Sequence, residues 1–339
     1  MSNPLATVGI LSIGEMGMGI AKLLVAHNYR VVTNLEGRSQ DTKTRAEAAS
    51  IEVLENDKTL VSASDYIFSI VPPRDALATA TRISTAFHAL SPPKSSPLYY
   101  FDLNAISPRS ARGIAELVAS KSPTITFLDG GIIGGAPHSN SDAPPASIMV
   151  SSHPATSSTW SKPSIPISGA LPSTPAASYA HLSTTLGLNH ISDDIGTASG
   201  LKCCFATTTK GFTALIIQAC TTANNMGVLA LLLGEMEKRT PGMLKAARGV
   251  TGMPPKAYRW VREMEEISQT HDEEGGFPPA PPSSSPSGIF MEIAQVYRSV
   301  AEDTVLGEEK TERRKRGRTL EDVAEAMGEG LKKRAKKED

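Results

Sequence analysis

Short β-rich runs alternate with helical stretches along the first two-thirds of the chain. Apolar, strand-like patterns fall at residues 8–13, 30–33, 66–71, 98–103 and 125–128. Helical patterns lie between them at 17–27, 43–49, 75–90 and 110–120, with a short turn at 60–63. Such alternation predicts an α/β fold, with a Rossmann-like, doubly wound parallel sheet. Residues 146–150 and 188–191 would extend the sheet, and the Pro-, Ser- and Thr-rich stretch 151–178 reads as irregular. From about residue 197 strand signals end. Residues 197–233 predict one long helix or a broken one, followed by helices at 241–248, 255–270 and 289–306. The Pro/Ser/Gly-rich run 273–288 is expected to be a mobile loop. The expected division is a Rossmann domain over 1–195, an all-α substrate and dimerisation domain over 196–306, and a charged, disordered tail over 307–339.

Composition narrows the function. A net charge of −1 over 339 residues excludes a chain that binds polyanions as a whole. Cys203, Cys204 and Cys220 lack the paired spacing of a disulfide framework or a zinc site, and the histidines show no metal spacing. The first residues carry no basic segment ahead of their apolar run, so they read as a strand and not as a signal peptide. The apolar run 211–234 is broken by Gln218, Thr221, Thr222, Asn224 and Asn225, as in a buried helix rather than a membrane span. A cytoplasmic protein is expected. The basic runs 313–318 and 332–337 raise nuclear targeting or nucleic-acid binding as an alternative, but acidic residues are interleaved with them.

The strongest local signal is the run Ser12-Ile13-Gly14-Glu15-Met16-Gly17, where a strand turns into a helix. Small residues there let backbone approach a pyrophosphate, and the helix N-terminus supplies N–H donors. Gly14 and Gly17 fit the second and third glycines of G-x-G-x-x-G, and Ser12 stands at the first. After the second strand comes Asn34-Leu35-Glu36-Gly37-Arg38-Ser39. Glu36 would suit the ribose hydroxyls of NAD, whereas Arg38 and Ser39 would hold the 2′-phosphate of NADP, with Lys43 and Arg45 adding positive charge. NADP is favoured over NAD; the alternative is that Arg38 is a solvated loop residue. Val71 and Pro72 would wall the adenosine side, or simply start a helix. Asn104 would bond ribose or the nicotinamide amide, or cap a strand end. Gly134 and Gly135 would offer backbone N–H groups to a substrate oxygen, or form an ordinary tight turn.

Four segments in order resemble the β-hydroxyacid dehydrogenase family, relatives of hydroxyisobutyrate and phosphogluconate dehydrogenases. Residues 12–17 are similar to its G-x-G-x-M-G loop, and Asp102-Leu-Asn-Ala-Ile-Ser-Pro108 to its D-x-S-T-x-x-P segment. Asp129-Gly-Gly-Ile-Ile-Gly-Gly135 looks like its D-A-P-V-S-G-G substrate loop, and Gly196-Thr-Ala-Ser-Gly-Leu-Lys202 like its G-x-G-x-x-x-K. Residues 257–267 resemble a subgroup with its own C-terminal helical domain, found in fungi and bacteria. The resemblance implies that Lys202 is the catalytic proton-transfer residue, with Lys210 eight residues further on a weaker candidate. It places the substrate at Ile133, Gly134, Gly135 and Ala206. Ile133 stands where the family has serine, Ala206 where it has asparagine, and Asn104 and Ala105 where it has serine and threonine. The implied activity is NADP-dependent hydride transfer to or from a small hydroxy or carbonyl compound. The alternatives are a reductase of imines or secondary metabolites, and a non-catalytic, NADP-bound interaction module. A homodimer is expected through the region 197–233, which is apolar on several faces.

Overall fold

In a computed structural model of the chain, residues 3–141, 159–172, 176–277 and 288–338 are described. The expected strand at 146–150 lies outside them. The chain divides into two compact units, Met1–Lys202 and Cys203–Asp339.

The first unit runs β1 (Thr7–Leu11), α1 (Glu15–Ala26), β2 (Arg30–Asn34), α2 (Gln40–Ala48), β3 (Glu52–Leu54), α3 (Asp57–Ala63) and β4 (Tyr66–Ser69). It continues with α4 (Ala76–His88), β5 (Leu98–Asp102), α5 (Pro108–Lys121), β6 (Ile125–Gly130) and a small ribbon of β7 (His138–Ser139) and β8 (Trp160–Ser161). β9 (Ile165–Ser168), α6 (Tyr179–Leu186), β10 (Leu188–Ser192) and α7 (Thr197–Ala206) follow, the last crossing into the second unit. The eight-stranded sheet has the order β10-β9-β6-β5-β4-β1-β2-β3. Its strands are parallel except where β6 meets β9, which runs antiparallel to it. Two elements differ from expectation. β9 arises inside the stretch read as irregular, because its four residues, Ile165-Pro-Ile-Ser168, are all buried. The segment 60–63 is the end of a helix capped by a reciprocal Asn56–Thr59 capping box.

The pleat sorts side chains onto two faces. Val8, Ile10, Tyr66, Phe68, Tyr99 and Phe101 pack with α1 and α6. Their neighbours Leu11, Ile67, Leu98 and Tyr100 pack with α3, α4 and α5. Helices therefore cover both faces, as in a doubly wound Rossmann-like sheet. The chain crosses from β3 back to β4 beside β1, so strand order reverses between β1 and β4. In open α/β sheets ligands bind outside the carboxyl ends of strands at such a point.

The second unit is helical, with α8 (Phe212–Asn225), α9 (Leu229–Arg239), α10 (Pro241–Ala247), α11 (Ala257–Glu273), α12 (Ile289–Glu302) and α13 (Leu320–Glu338). Of the two expectations for 197–233, the structure shows the broken helix, interrupted by a π-helical turn at Thr207–Gly211 and by Gly227 at φ +73°. The expectation of a disordered tail is overturned. Leu320, Val323, Ala324, Ala326 and Met327 are buried in the core of this unit. Arg316 bonds Asp322 near the start of α13, and Arg334 pairs with Asp303 at 2.8 Å. A Cβ on Gly328 would lie 2.5 Å from Asn225 Oδ1, so α13 and α8 approach closely there. The tail's charges lie on one side of a helix whose other side is apolar. No helix among the described residues is long and apolar enough to cross a membrane.

Candidate active site

β1 ends at Leu11, and the chain turns through Ser12 at φ +76°, a left-handed conformation normally left to glycine. Gly14 is the N-cap of α1, and no side chain caps that helix end. A Cβ on Gly14 would meet nothing within 4 Å, whereas one on Gly17 would collide with the Ser12 carbonyl oxygen. Gly17 thus lets α1 pack on the turn, and Gly14 leaves room for a ligand above it. This is the cradle that a pyrophosphate needs at a helix N-terminus. Ile13 is buried, Met16 packs against the sheet core, and Glu15 is exposed.

At the end of β2, Asn34 is occupied by the protein. Its amide donates to Asp57 at 2.9 Å, and its carbonyl oxygen accepts from the Glu36 amide at 2.9 Å. Asn34 shapes the loop instead of facing a cofactor. Glu36, Arg38 and Ser39 are exposed. The Arg38 guanidinium has no partner among the described residues, and the Ser39 hydroxyl lies 3.1 Å from that of Thr42.

The carboxyl ends of β4 and β5 are stitched together by Asn104, which is only 2% exposed. Its carbonyl oxygen accepts from the Val71 amide at 2.7 Å, and its amide donates to Ser69 Oγ at 3.0 Å. The structure gives Asn104 the strand-end role and not a contact to ribose or nicotinamide, because the side chain is turned inward and used at both ends. The Val71 side chain is in the core, and Pro72 is half-buried. Beside Asn104, Asp102 is fully buried. It accepts from the Asn104 amide through Oδ1, while Oδ2 has no hydrogen-bond partner among the described residues. Burial pushes its carboxyl up to about 7, and the neighbouring Asp129 pushes in the same direction.

Asp129 pairs in register with Asp102 across β5 and β6. Burial raises its carboxyl too, against four donors. Oδ2 accepts from Ser168 Oγ at 3.0 Å and from the amides of Gly196 at 3.1 Å and Ser199 at 3.0 Å; Oδ1 accepts from Ser199 Oγ at 2.5 Å. Those four donors oppose that rise. A strand-end carboxylate thereby caps the first turn of α7.

One turn further along α7 stands Lys202. Its ammonium donates to the carbonyl oxygen of Ile132 in the loop after β6. Gly131 makes this path possible, because a Cβ there would come within 2.6 Å of Lys202 Cβ. Beyond it, Ile133 exchanges backbone hydrogen bonds with Ser164, at 2.8 and 2.9 Å. Gly134 is exposed at φ +127°, and Gly135 is exposed with open space around it. Ala206 does not join this group. It is 4% exposed within the apolar core of the second unit, where an asparagine would lose its solvation. Lys210 is paired with buried Glu263 and lies 4.8 Å over the Trp260 ring.

The structure therefore brings Lys202 together with Gly131 and Ile132, in the loop that leads on to Gly134 and Gly135; Ser12 to Gly17 follow β1, and Arg38 and Ser39 follow the adjacent β2. Sequence reasoning missed Asp129, Ser168 and Ser199. The available signal was a lone aspartate closing a strand just before a glycine run, together with a serine three residues before Lys202.

Residues 7–163 match the NAD binding domain of 6-phosphogluconate dehydrogenase, and residues 223–300 match a domain of unknown function, DUF1932. An uncharacterized 28.5 kDa protein of Methanothermus fervidus is 26% identical over 127 residues, which are 38% of this chain and 45% of that protein. The chain thus spans less than half the length of that curated relative. Among solved structures, a 3-hydroxyisobutyrate dehydrogenase of Salmonella typhimurium has a TM-score of 0.59 at 15% identity, with 94% of this chain and 99% of that one covered. The 3-hydroxyisobutyrate dehydrogenase of Mycobacterium tuberculosis, solved with L-serine, has a TM-score of 0.56 at 17% identity, with 88% and 94% covered. At these identities the two structures speak for the fold alone. An NAD-binding domain of the 6-phosphogluconate dehydrogenase kind followed by the DUF1932 domain is consistent with the β-hydroxyacid dehydrogenase family.

Proposed function

We propose that the protein is an NADP-dependent oxidoreductase that moves a hydride between the nicotinamide and a small hydroxy or carbonyl compound, with Lys202 handling the proton. The observation that carries this reading is the placement of Lys202. A charged side chain is led over a glycine into the substrate loop, on a helix whose start is clamped by a buried carboxylate. A lysine held only for solubility needs neither feature. NADP is preferred in this reading because Arg38 is exposed and has no partner among the described residues, beside Ser39, where the 2′-phosphate of a dinucleotide on this fold would lie.

The residues that would hold the cofactor are the backbone of Ser12 to Gly17, with Arg38 and Ser39. The bound cofactor supplies the hydride chemistry. Lys202 has three N–H donors, and the Ile132 carbonyl takes one of them. In the reductive direction its ammonium orients a substrate oxygen and gives the proton there; in the oxidative direction the neutral amine takes it. Ile133 brings an apolar side chain where the family has a hydroxyl, and Gly134 and Gly135 offer backbone. This lining favours a less acidic substrate than the hydroxy acids of relatives. A homodimer belongs to the same reading, supported by the exposed Leu215, Met226 and Leu231 of the helical unit.

The test is NADPH consumption against a panel of carbonyl and imine compounds. With any substrate so found, Lys202→Ala should lower turnover ~10²–10⁴-fold while NADPH affinity changes little. Near-full turnover in that variant would remove Lys202 from the chemistry.

A further inference from the structure

Arg45 sits in the last turn of α2. A cation there would ordinarily serve the carbonyl end of its own helix. Arg45 instead sends Nε back 32 residues, to the carbonyl oxygen of Ile13 in the glycine turn, at 2.8 Å. A terminal nitrogen of the same guanidinium donates to Thr42 Oγ1 at 3.2 Å, and Thr42 Oγ1 lies 3.1 Å from Ser39 Oγ. A continuous chain thus runs from the glycine turn, through Arg45 and Thr42, to the serine beside Arg38.

The bond to Ile13 has a directional consequence. The Ile13–Gly14 peptide is trans, and in a planar trans peptide the N–H points away from the C=O. Fixing the Ile13 carbonyl towards Arg45 therefore fixes the Gly14 N–H in the opposite direction. No acceptor among the described residues takes that N–H. The space at Gly14 is open, and Gly14 caps α1. An amide held at a helix N-terminus beside empty space is what a pyrophosphate oxygen recognises.

We infer that Arg45 is a positioning residue for the dinucleotide pyrophosphate: its guanidinium, steadied on Thr42, holds the Ile13 carbonyl so that the Gly14 amide faces the cofactor. The inference rests on the cofactor reading above. It assigns different jobs to two arginines. Arg38 recognises a group that only NADP carries, and Arg45 prepares a site for a group that NAD and NADP share.

The test is direct ligand titration, by calorimetry, of NADPH, NADH, ADP-ribose and adenosine 2′-monophosphate. A charge-assisted hydrogen bond lost from a prepared site corresponds to about a tenfold loss of affinity or more. Arg45→Met should show that loss for NADPH, NADH and ADP-ribose alike. Adenosine 2′-monophosphate, which has no pyrophosphate, should change by no more than about twofold, since the bond that Arg45 makes does not serve it. Arg45→Lys should stay weak, because an ammonium keeps the charge but not the planar fork that spans both acceptors. Thr42→Val should lose affinity for the same three ligands, to a smaller degree. If Arg45→Met fails to fold, Arg45→Lys and Thr42→Val decide the matter.

Equal losses for ADP-ribose and adenosine 2′-monophosphate would overturn the inference, as would full recovery in Arg45→Lys or unchanged binding in Arg45→Met. A wild type that binds ADP-ribose but not adenosine 2′-monophosphate removes the NADP preference alone, and the ADP-ribose titrations still decide Arg45. A wild type that binds no dinucleotide removes the cofactor reading, and this inference with it.

Discussion

Asp102, Asn104, Asp129, Ser168 and Ser199 are each 2% exposed or less, and all lie at strand ends or at the start of α7 in the first unit. The core of the second unit, from Cys203 to Met327, is apolar. Among the described residues its two buried carboxylates each have a cation, Glu263 with Lys210 and Glu266 with Arg262. The helical unit thus treats buried charge as something to be neutralised locally. The sheet unit instead leaves two carboxylates side by side and surrounds one of them with neutral donors. Burying a carboxylate without a counter-ion is costly, and such a cost is repaid where the group has a task of placement. The contrast separates a unit built for stability from an edge built for geometry.

The largest effect that would break this contrast is deletion of residues 319–339. At about 1.5–3 kcal/mol for each large apolar side chain buried, losing Leu320, Val323 and Met327 alone approaches the whole stability of a typical domain. The helical unit should lose its cooperative unfolding transition by calorimetry and much of its helical circular dichroism. An unchanged melting profile would mean that α13 is dispensable after all. Next comes Asp129→Ala, which strands the donors of Ser168, Gly196 and Ser199. A loss of about 3 kcal/mol or more is expected by denaturant unfolding, whereas Asp129→Asn, which keeps an acceptor, should lose only ~1 kcal/mol. If Asp129→Ala unfolds like the wild type, the clamp on α7 carries no load.

The smallest effect concerns pH. Asp102 titrates near 7 in the folded chain, against 3.8 as its ordinary value. Between those values the folded state holds a proton that the unfolded state has released, so this group's contribution to stability declines as pH rises through that window. Asp102→Asn removes the titration. Its melting temperature relative to the wild type should climb from pH 5 to pH 8. A constant difference across that range would show that Asp102 is not protonated in the fold.

The alternation of strands and helices was legible because each element carries its own period. The glycine turn was legible for a similar reason: Gly14 and Gly17 sit at a strand-to-helix junction where their spacing has a steric meaning. Asn104 was legible as a residue of interest but not in its role, since its partners Val71 and Ser69 lie more than thirty positions away. Asp129 was hidden for the same reason: three of its four donors come from α7 and the residue before it, 67 to 70 residues on. The C-terminal helix was misread because charge density outweighed pattern. Leu320, Val323, Ala324, Met327 and Leu331 follow a helical stripe, which a count of lysines and glutamates conceals. Ala206 was placed at the site by counting from Lys202, but the helix turns it into the core of the second unit.

The clamp on α7 also bears on the order in which the chain folds. A helix capped by its own neighbouring residue can form its first turn early and alone. Here the cap arrives from β6 across a loop of some 70 residues, so the first turn becomes stable only once that loop has closed. The amides of Gly196 and Ser199 therefore belong to the sheet's cooperative unit and should be released to hydrogen exchange together with β6, even though the rest of α7 leads into helical sequence. Lys202, one turn beyond that cap, should therefore be held in place only once the sheet around β6 has formed.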